Sequence, residues 1–177
     1  MNVYTSPKLI IEPLKDNFGE ILKEGTSKLK MPYWISAGTA LGLYRDKDYI
    51  KGDTDIDVEV MGYTGIGLDI VKSMQGFELV RSVITDGKPM QLAFQKDRTI
   101  FDIYIYWDEG EEVVNINDMC TLRLPKKFLK TETIETKYGR YSFPSPIEEY
   151  LAYRYGSDWL TPKQDKGIYG SDNLRNV

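Results

Sequence analysis

The sequence contains no histidine and a single cysteine, and these two shortages exclude most of the common catalytic machineries. Without histidine the chain cannot form a Ser-His-Asp triad, a Cys-His pair, a histidine-ligated zinc site or a histidine phosphorelay. Cys120 has no partner for an internal disulfide, and its apolar neighbours indicate a buried strand position. Any catalysis must therefore use carboxylates, lysines, tyrosines, hydroxyl groups or a metal ion held by oxygen ligands.

Long apolar runs and an excess of positive charge are also missing. No segment approaches the roughly 18 consecutive apolar residues that span a bilayer. Residues 1–15 show no secretory signal, so we expect a cytoplasmic protein. The 23 Lys and Arg residues against 27 Asp and Glu residues give a net charge of −4. Because a duplex-binding surface needs clustered positive charge, we do not expect nucleic acid as a partner.

The length and composition indicate one folded domain. The 177 residues are 41% hydrophobic and 28% charged, which is typical of a single compact domain over residues 1–177, with a polar tail from about residue 163. The order of helix and strand signals predicts an α+β fold, a small mixed β-sheet flanked by helices. Helices are expected at residues 12–30, 41–44, 68–74 and 145–155, the last starting with a capping box at Ser145 and ending at Gly156. Strands are expected at residues 33–36, 53–60, 77–85, 90–95, 99–106, 119–124 and 141–143.

Four acidic residues alternate along the predicted strand at residues 53–60. Because side chains alternate between the two faces of a strand, Asp53, Asp55, Asp57 and Glu59 share one face and apolar residues share the other. Carboxylates this close repel one another and raise each other's pKa values unless a divalent cation offsets the charge. Oxygen ligands without His or Cys favour Mg²⁺ or Mn²⁺ over zinc.

A further acid, Asp102, lies in the apolar strand predicted at residues 99–106. If this strand pairs beside the acidic one, Asp102 completes a three-carboxylate cluster with Asp55 and Asp57. Such a cluster can hold metal ions that activate an attacking hydroxyl and stabilise a leaving phosphate. An acidic strand that simply faces solvent is the alternative interpretation.

Gly38 and Thr39 lie between a predicted strand and a predicted helix, upstream of the acidic strand. Backbone N–H groups and a hydroxyl at a helix start can receive phosphate. A Gly-Thr pair alone is more often an ordinary N-cap. The order strand, Gly-Thr, helix, Asp-x-Asp and a later Asp is a much narrower pattern.

This order of motifs resembles the polymerase-β-like nucleotidyltransferase superfamily. More particularly, two segments are similar to the LicD/fukutin family of phosphotransferases, WISAGTALGLYRDKDYIKGDTDID at residues 34–57 and PIEEYLAYRYGSDWLTP at residues 146–162. The resemblance implies a metal-dependent enzyme that moves a substituted phosphate, such as phosphocholine or ribitol phosphate, from a CDP-linked donor to a sugar hydroxyl of a glycan. Two positions depart from the family pattern: the aromatic residue before the acidic run is Gly52 here, and the usual second acid of that run is Thr54.

The resemblance also implies roles for individual residues. Asp55 and Asp57 are the expected ligands of Mg²⁺ or Mn²⁺, and Asp102 is the expected third ligand and a possible general base for the acceptor hydroxyl. The residues expected around the donor are Gly38 and Thr39 at the phosphates, Arg45 as a bidentate phosphate contact, Asp53 behind the metal ligands, and Arg154 and Trp159 at the border of the pocket.

Three other functions stay open at this point. A nucleotidyltransferase would move a nucleoside monophosphate from a nucleoside triphosphate to a small-molecule or protein hydroxyl. A glycosyltransferase would use Asp-x-Asp to hold a nucleotide sugar through a metal. A binding module would take up nucleotide or metal without turnover.

Overall fold

The computed structural model describes residues 1–162 and 174–175, and its largest element is a nine-stranded sheet. Its strands are β1 (Asn2–Thr5), β2 (Tyr33–Ile35), β3 (Asp55–Met61), β4 (Glu78–Thr85), β5 (Lys88–Lys96), β6 (Thr99–Glu109), β7 (Glu112–Ile116), β8 (Thr121–Pro125) and β11 (Leu174–Arg175). Their order is β1-β4-β5-β6-β7-β8-β11, with β3 joined to β6 and β2 joined to β3. The strands β9 (Thr131–Thr136) and β10 (Gly139–Pro144) form a separate antiparallel pair.

Four α-helices pack around the sheets. They are α1 (Phe18–Lys28), α2 (Ala37–Leu41), α3 (Ile66–Ser73) and α4 (Ile147–Tyr155), supplemented by a π-helical turn at Gly42–Asp46 and a 3₁₀ helix at Lys126–Leu129. Among the described residues, no helix combines the length and the apolar character that crossing a bilayer requires.

The pairing of β3 with β6 positions the candidate site. These two strands run parallel, whereas the other strand pairs in the described part of the chain are antiparallel. One face of both strands is fully buried in the main core, which includes Ile56 and Val58 of β3 and Phe101 of β6. Helix α1 approaches this face closely, since a Cβ atom at Gly25 would collide with the Phe101 ring. The opposite face of the same strands is left for the acidic residues.

The structure confirms the α+β architecture and the presence of each predicted helix and strand up to residue 156, with altered bounds. The first helix starts at Phe18 rather than near residue 12. The reason is that the Leu14 N–H donates to the Asp53 carbonyl at 2.7 Å, which ties the preceding segment to the acidic strand instead. Helix α2 begins at Ala37, earlier than predicted. The predicted polar tail from residue 163 lies almost wholly outside the described residues.

The predicted capping box at Ser145 is wrong. The residue before α4 is Pro146, and no side chain of its own segment caps the helix. Instead the Ile147 N–H donates to Oε1 of Glu132, on β9, at 3.0 Å. The helix does end at Gly156, whose φ of +92° is a conformation that favours glycine. The strands β1, β7 and β9 were not predicted from the sequence. Each is short, and none alternates apolar with polar residues along its length.

Candidate active site

The acidic faces of β3 and β6 lie side by side. In the parallel register Asp57 is paired with Asp102, so Asp102 lies on the same side of the sheet as Asp55 and Asp57. All three are removed from bulk water to different degrees, with Asp57 at 6% and Asp102 at 4% relative exposure and Asp55 half-buried. The structure thus brings together the three acids that the sequence analysis grouped.

A fourth carboxylate, that of Asp53, lies closer to the group than expected. One carboxylate oxygen from each of Asp53, Asp55 and Asp57 falls within 4.8 Å of the others. Asp53 precedes β3 and is held there by two hydrogen bonds. Its backbone carbonyl accepts the Leu14 N–H, and its side-chain Oδ1 accepts the Thr54 N–H at 2.9 Å. Asp53 was expected behind the candidate metal ligands, and it instead lies within the carboxylate group, which does not include Asp102.

Gly38 is the residue that lets these carboxylates approach helix α2. A Cβ atom built there would lie 2.5 Å from Oδ2 of Asp53 and 3.5 Å from Oδ2 of Asp57. The first distance is shorter than real Cβ atoms show, so any larger residue would push the Asp53 carboxylate aside. Glycine therefore shapes the acidic cluster itself.

Thr39 holds Asp57 rather than offering its hydroxyl to solution. Its Oγ1 accepts the Asp57 backbone N–H at 2.8 Å, and its own N–H donates to Oδ2 of Asp57 at 3.4 Å. The residue is only 2% exposed. The structure thus places Thr39 next to a candidate metal ligand, as a residue that fixes the position of that ligand.

The turn between β2 and α2 is hydrogen-bonded to helix α4. Ala37 has a φ of +43°, which is uncommon for a residue with a side chain. Its N–H donates to the Tyr150 hydroxyl of α4 at 3.3 Å. The C-terminal helix thereby supports the turn that precedes Gly38.

The carboxyl groups of the cluster all have raised pKa values. Burial, reinforced by the charge of Asp55, raises the pKa of Asp53 to about 7 and that of Asp102 to about 7. Burial likewise raises the pKa of Asp55, and burial together with the charges of its acidic neighbours raises the pKa of Asp57 well above its ordinary value. The ionised cluster is therefore unfavourable without a cation to compensate it.

These residues fit a divalent cation by the chemistry of their donor atoms. All are carboxylate oxygens, the ligand type that Mg²⁺ and Mn²⁺ prefer. Asp102 adds a specific sign of a missing ligand: its Oδ2 accepts a hydrogen bond from Nε2 of Gln91 at 2.6 Å, whereas its buried Oδ1 has no hydrogen-bond partner among the described residues. Buried polar atoms without a partner are rare in native proteins, and one beside three further carboxylates suits a metal ligand.

A pocket of about 820 Å³ opens beside the cluster, within the size range of small-molecule sites. Its lining combines carboxylates, two cationic residues and two aromatic residues. Six of the lining residues matter here: Gly38, Asp53, Arg45, Lys51, Tyr155 and Trp159. Lys51 and Tyr155 were not predicted from the sequence, because neither their spacing nor their residue type indicates a pocket.

Arg45 and Trp159 both border this pocket, as expected, and they contact one another. Nη1 of Arg45 donates to the Trp159 carbonyl at 3.2 Å, while Nε and Nη2 donate to the Asp46 carboxylate at 2.7 Å and 2.8 Å. The Trp159 ring lies 5.9 Å from the Tyr44 ring, centroid to centroid, and the residue is 7% exposed. Arg45 is thus oriented at the pocket by its neighbours.

Arg154 was expected at the pocket border, but it does not line the pocket. It contacts Glu59 and Tyr106 in the interior instead. Its Nη1 is 3.4 Å from Oε1 of Glu59 and donates to the Tyr106 hydroxyl at 3.1 Å. Glu59, on the acidic face of β3 as expected, has no solvent exposure and also accepts a hydrogen bond from Nε1 of Trp34 at 2.7 Å. Glu59 therefore belongs to a buried ion pair and lies outside the carboxylate group of Asp53, Asp55 and Asp57.

The chain shows sequence similarity to known transferases. It is 28% identical over 145 residues to a protein named ribitol-5-phosphate transferase FKTN from Macaca fascicularis, and 28% identical over 145 residues to the one from Homo sapiens; each match covers 77% of this chain and 31% of the relative. The protein of the same name from Mus musculus is 26% identical over 153 residues, covering 81% of this chain and 33% of the relative. The chain therefore spans about a third of the length of these relatives.

A comparison with solved structures supports the fold. The lincomycin-bound crystal structure of the lincosamide antibiotic adenylyltransferase LnuA matches with a TM-score of 0.52 over 78% of this chain and 84% of that chain, at 13% identity. At this low identity the likeness concerns the fold alone. It confirms the predicted nucleotidyltransferase-like α+β fold.

The expectation of a cytoplasmic protein is wrong. It was drawn from the first 15 residues alone. The proteins that this chain resembles are named ribitol-5-phosphate transferases, and the chain spans about a third of their length. Residues 1–15 of a chain that spans about a third of the length of these relatives do not decide where the protein is located.

The family itself is identified by a match over two thirds of the chain. Residues 30–147 match the family described as LicD/FKTN/FKRP, nucleotidyltransferase domain, and this stretch includes the Gly-Thr turn, the acidic strand and Asp102. The resemblance to this family that residues 34–57 and 146–162 suggested is confirmed. The chain belongs to the LicD/FKTN/FKRP family and carries its nucleotidyltransferase domain.

Proposed function

We propose that this protein is a metal-dependent phosphotransferase that moves a substituted phosphate, of the polyol-phosphate or phosphocholine type, from a CDP-linked donor to a sugar hydroxyl of a glycan. The observation that carries the proposal is the carboxylate group of Asp53, Asp55 and Asp57, beside which the strand register places Asp102. Asp53 and Asp57 of this group also line the 820 Å³ pocket. The names of the relatives support the ribitol-phosphate version of the donor. We also propose that residues 1–177 form one domain, since one large core cluster extends from Leu14 to Trp159.

In this proposal Asp55, Asp57 and Asp102 hold Mg²⁺ or Mn²⁺, and Asp53 joins them because of its proximity. A bound divalent ion would neutralise the charge on the phosphate that is being transferred. Phosphoryl transfer depends mainly on positioning and charge stabilisation, so the absence of histidine is no obstacle. Because Arg154 pairs with the buried Glu59, the two residues together add no net charge next to the carboxylate group.

Three residues would have separate roles in the reaction. Gly38 leaves room for the Asp53 carboxylate, and Thr39 fixes the Asp57 backbone. Asp102 is the candidate general base, with Oδ1 as the atom that would take the proton of the acceptor hydroxyl, since this atom has no other hydrogen-bond partner among the described residues.

The donor would occupy the pocket. Arg45 and Lys51 supply positive charge for its phosphates, and Tyr155 and Trp159 supply aromatic surface for the cytosine base. A glycine at position 52, where the family pattern has an aromatic residue, leaves this wall open, since no described atom lies within 4 Å of a Cβ built there.

A donor screen tests the proposal. Purified protein with Mg²⁺ is incubated with CDP-ribitol, CDP-choline or a nucleoside triphosphate in the presence of a ribitol-phosphate-accepting glycan, and the small products are separated. Release of cytidine monophosphate from a CDP-linked donor is the expected result. Pyrophosphate release from a triphosphate would instead show the nucleotidyltransferase alternative. Neither product, together with Mn²⁺ binding that is unchanged in Asp55→Asn and Asp57→Asn, would refute the metal site.

A further inference from the structure

Gln91 makes the hydrogen bond that holds Asp102. It lies on β5, where the antiparallel register pairs it with Tyr104 of β6, two residues beyond Asp102 on the same face. From there Nε2 of Gln91 donates to Oδ2 of Asp102 at 2.6 Å and reaches the Tyr104 hydroxyl at 3.4 Å. Gln91 is 7% exposed, so water does not easily replace this contact.

Arg81 determines which way the Gln91 amide points. Its Nε donates to Oε1 of Gln91 at 3.4 Å. A guanidinium group can only donate, so it selects the amide oxygen of Gln91 and turns the NH₂ group toward Asp102. In the reverse orientation the amide oxygen would face a carboxylate and the NH₂ group would face a cation, both unfavourable.

Arg81 is itself fixed at the rim of the sheet. Its Nη2 contacts both carboxylate oxygens of Asp118 at 2.6 Å, and its Nη1 donates to Oγ1 of Thr5 at 3.1 Å. Its side chain is 20% exposed. A continuous chain of contacts thus leads from the surface, through Arg81 and Gln91, to the carboxylate of Asp102.

The two oxygens of Asp102 consequently differ. Oδ2 is occupied by Gln91, whereas Oδ1 is buried with no hydrogen-bond partner in the described part of the chain. Holding one oxygen removes the rotational freedom of the other, which is the usual effect of an outer partner on a metal-ligating carboxylate.

We propose that Gln91, oriented by Arg81, is a positioning residue that presents Oδ1 of Asp102 to the metal ion and to the acceptor hydroxyl. This inference rests on the proposed function, in which Asp102 is a metal ligand and base. It adds two residues to the site that lie outside the acidic strand and outside the pocket lining.

Binding of Mn²⁺ alone, followed by electron paramagnetic resonance, tests the inference. Gln91→Met keeps the length of the side chain and removes its donor, and we expect a roughly tenfold to hundredfold loss of Mn²⁺ affinity. The kcat should fall by a similar factor, with the KM for the CDP-linked donor changed less than about twofold, because a KM effect would indicate a pocket role instead. Thermal midpoints measured without metal check that each variant is folded.

Arg81 supplies an independent test by conservative rescue. Arg81→Met removes the donor to Gln91 and should weaken Mn²⁺ binding severalfold, whereas Arg81→Lys keeps a donor and should restore most of it. Glu78→Gln is the matched control, since it alters a surface ion pair of the same strand, with Lys8, that contacts neither Arg81 nor Gln91, and it should bind Mn²⁺ as the unaltered protein does. Equal loss in the Met and Lys variants at position 81 would overturn the orienting role of Arg81.

Asp102→Asn separates the inference from the proposed function. If Asp102→Asn weakens Mn²⁺ binding and Gln91→Met does not, the positioning role is overturned while the proposed metal site stands. If neither variant changes Mn²⁺ binding, Asp102 is not a ligand and both proposals fail at this residue. If Gln91→Met lowers the thermal midpoint too far to compare, the Met and Lys variants at position 81 decide.

Discussion

A single methyl group at position 38 should disturb the proposed metal site without unfolding the protein. The Cβ atom of Gly38→Ala would lie 2.5 Å from Oδ2 of Asp53, about 0.9 Å inside the 3.4 Å at which ordinary contact begins. Its distance of 3.5 Å to Oδ2 of Asp57 is already ordinary. Because the clashing atom ends a short, rotatable side chain, we expect the Asp53 carboxylate to turn away and Asp57 to stay.

The expected change in stability is small. Replacing a helical glycine by alanine contributes about 0.5–1 kcal/mol of stability. That gain and the reduced repulsion between Asp53 and Asp55 oppose the strain of moving the Asp53 side chain. Without metal, we therefore expect the free energy of unfolding to change by less than about 1 kcal/mol, an effect typical of a well-tolerated substitution.

Metal binding should respond far more. Loss of one carboxylate from the group should lower Mn²⁺ affinity about tenfold, which is about 1.4 kcal/mol. At a Mn²⁺ concentration of 100 times the original dissociation constant, the metal stabilises the protein by about 2.7 kcal/mol, and a tenfold weaker site reduces this to about 1.4 kcal/mol. Calorimetric titration gives the affinity, and thermal unfolding with and without Mn²⁺ gives the stabilisation.

The Asp53→Ala background is the matched control, because it removes the atom that the new methyl group would touch. In that background Gly38→Ala should leave the Mn²⁺ affinity unchanged. Gly38→Ala in the original protein with Mn²⁺ bound as tightly as before would refute the reasoning, since the approach of Asp53 to α2 would then have no part in holding the ion.

Three further predictions concern the residues around the cluster. Thr39→Val leaves the buried Asp57 N–H without its acceptor and should lower the free energy of unfolding by about 1–3 kcal/mol in a urea titration. Thr39→Ser keeps the hydroxyl and should lose much less stability. Equal losses in the two variants would contradict the role of the hydroxyl. Arg154→Met leaves the fully buried Glu59 without its cation and should destabilise by about 3–5 kcal/mol, while adding Glu59→Gln should recover part of this loss; strictly additive effects in the double-mutant cycle would argue against a coupled pair. Burial and the charge of Asp55 raise the pKa of Asp102 to about 7, so the native state binds more protons than the unfolded state between about pH 4 and pH 7. This carboxyl alone should cost the chelator-treated protein about 4 kcal/mol of stability as pH rises through that interval, and the raised pKa values of Asp53 and Asp57 add to the loss. Thermal midpoints at pH 5 and pH 7.5 should show this loss, its reversal by Mg²⁺ and its reduction in Asp102→Asn, and a metal-free midpoint independent of pH would speak against it.

The acidic face could be predicted from sequence because it depends on a local property. Side chains in a strand alternate with a period of two, so the spacing of Asp55 and Asp57 placed them together before any fold was known. The addition of Asp102 required β6 to lie beside β3. Its alternation with buried apolar residues indicated its face, but the strand pairing itself came from the structure.

Other parts of the site depend on contacts between distant segments, which residue types alone do not reveal. Asp53 joins the cluster because its carbonyl accepts the Leu14 N–H, 39 positions away in sequence. Helix α4 is capped by Glu132 from another strand, while the local Ser145 pattern that suggested a cap is not used. Gln91 looks like any polar residue in a strand until β5 brings it to Asp102.

The ion pair between Glu59 of β3 and Arg154 of α4 joins the segment that directly follows the first family-like stretch to the second such stretch. Exchange of either stretch with that of another protein would have to preserve opposite charges at both positions, or replace both by apolar groups of matching size. A hybrid with only one of the two would leave a lone charge with no water around it. For redesign, residues 34–59 and 146–162 are therefore a single unit, although 86 residues lie between them.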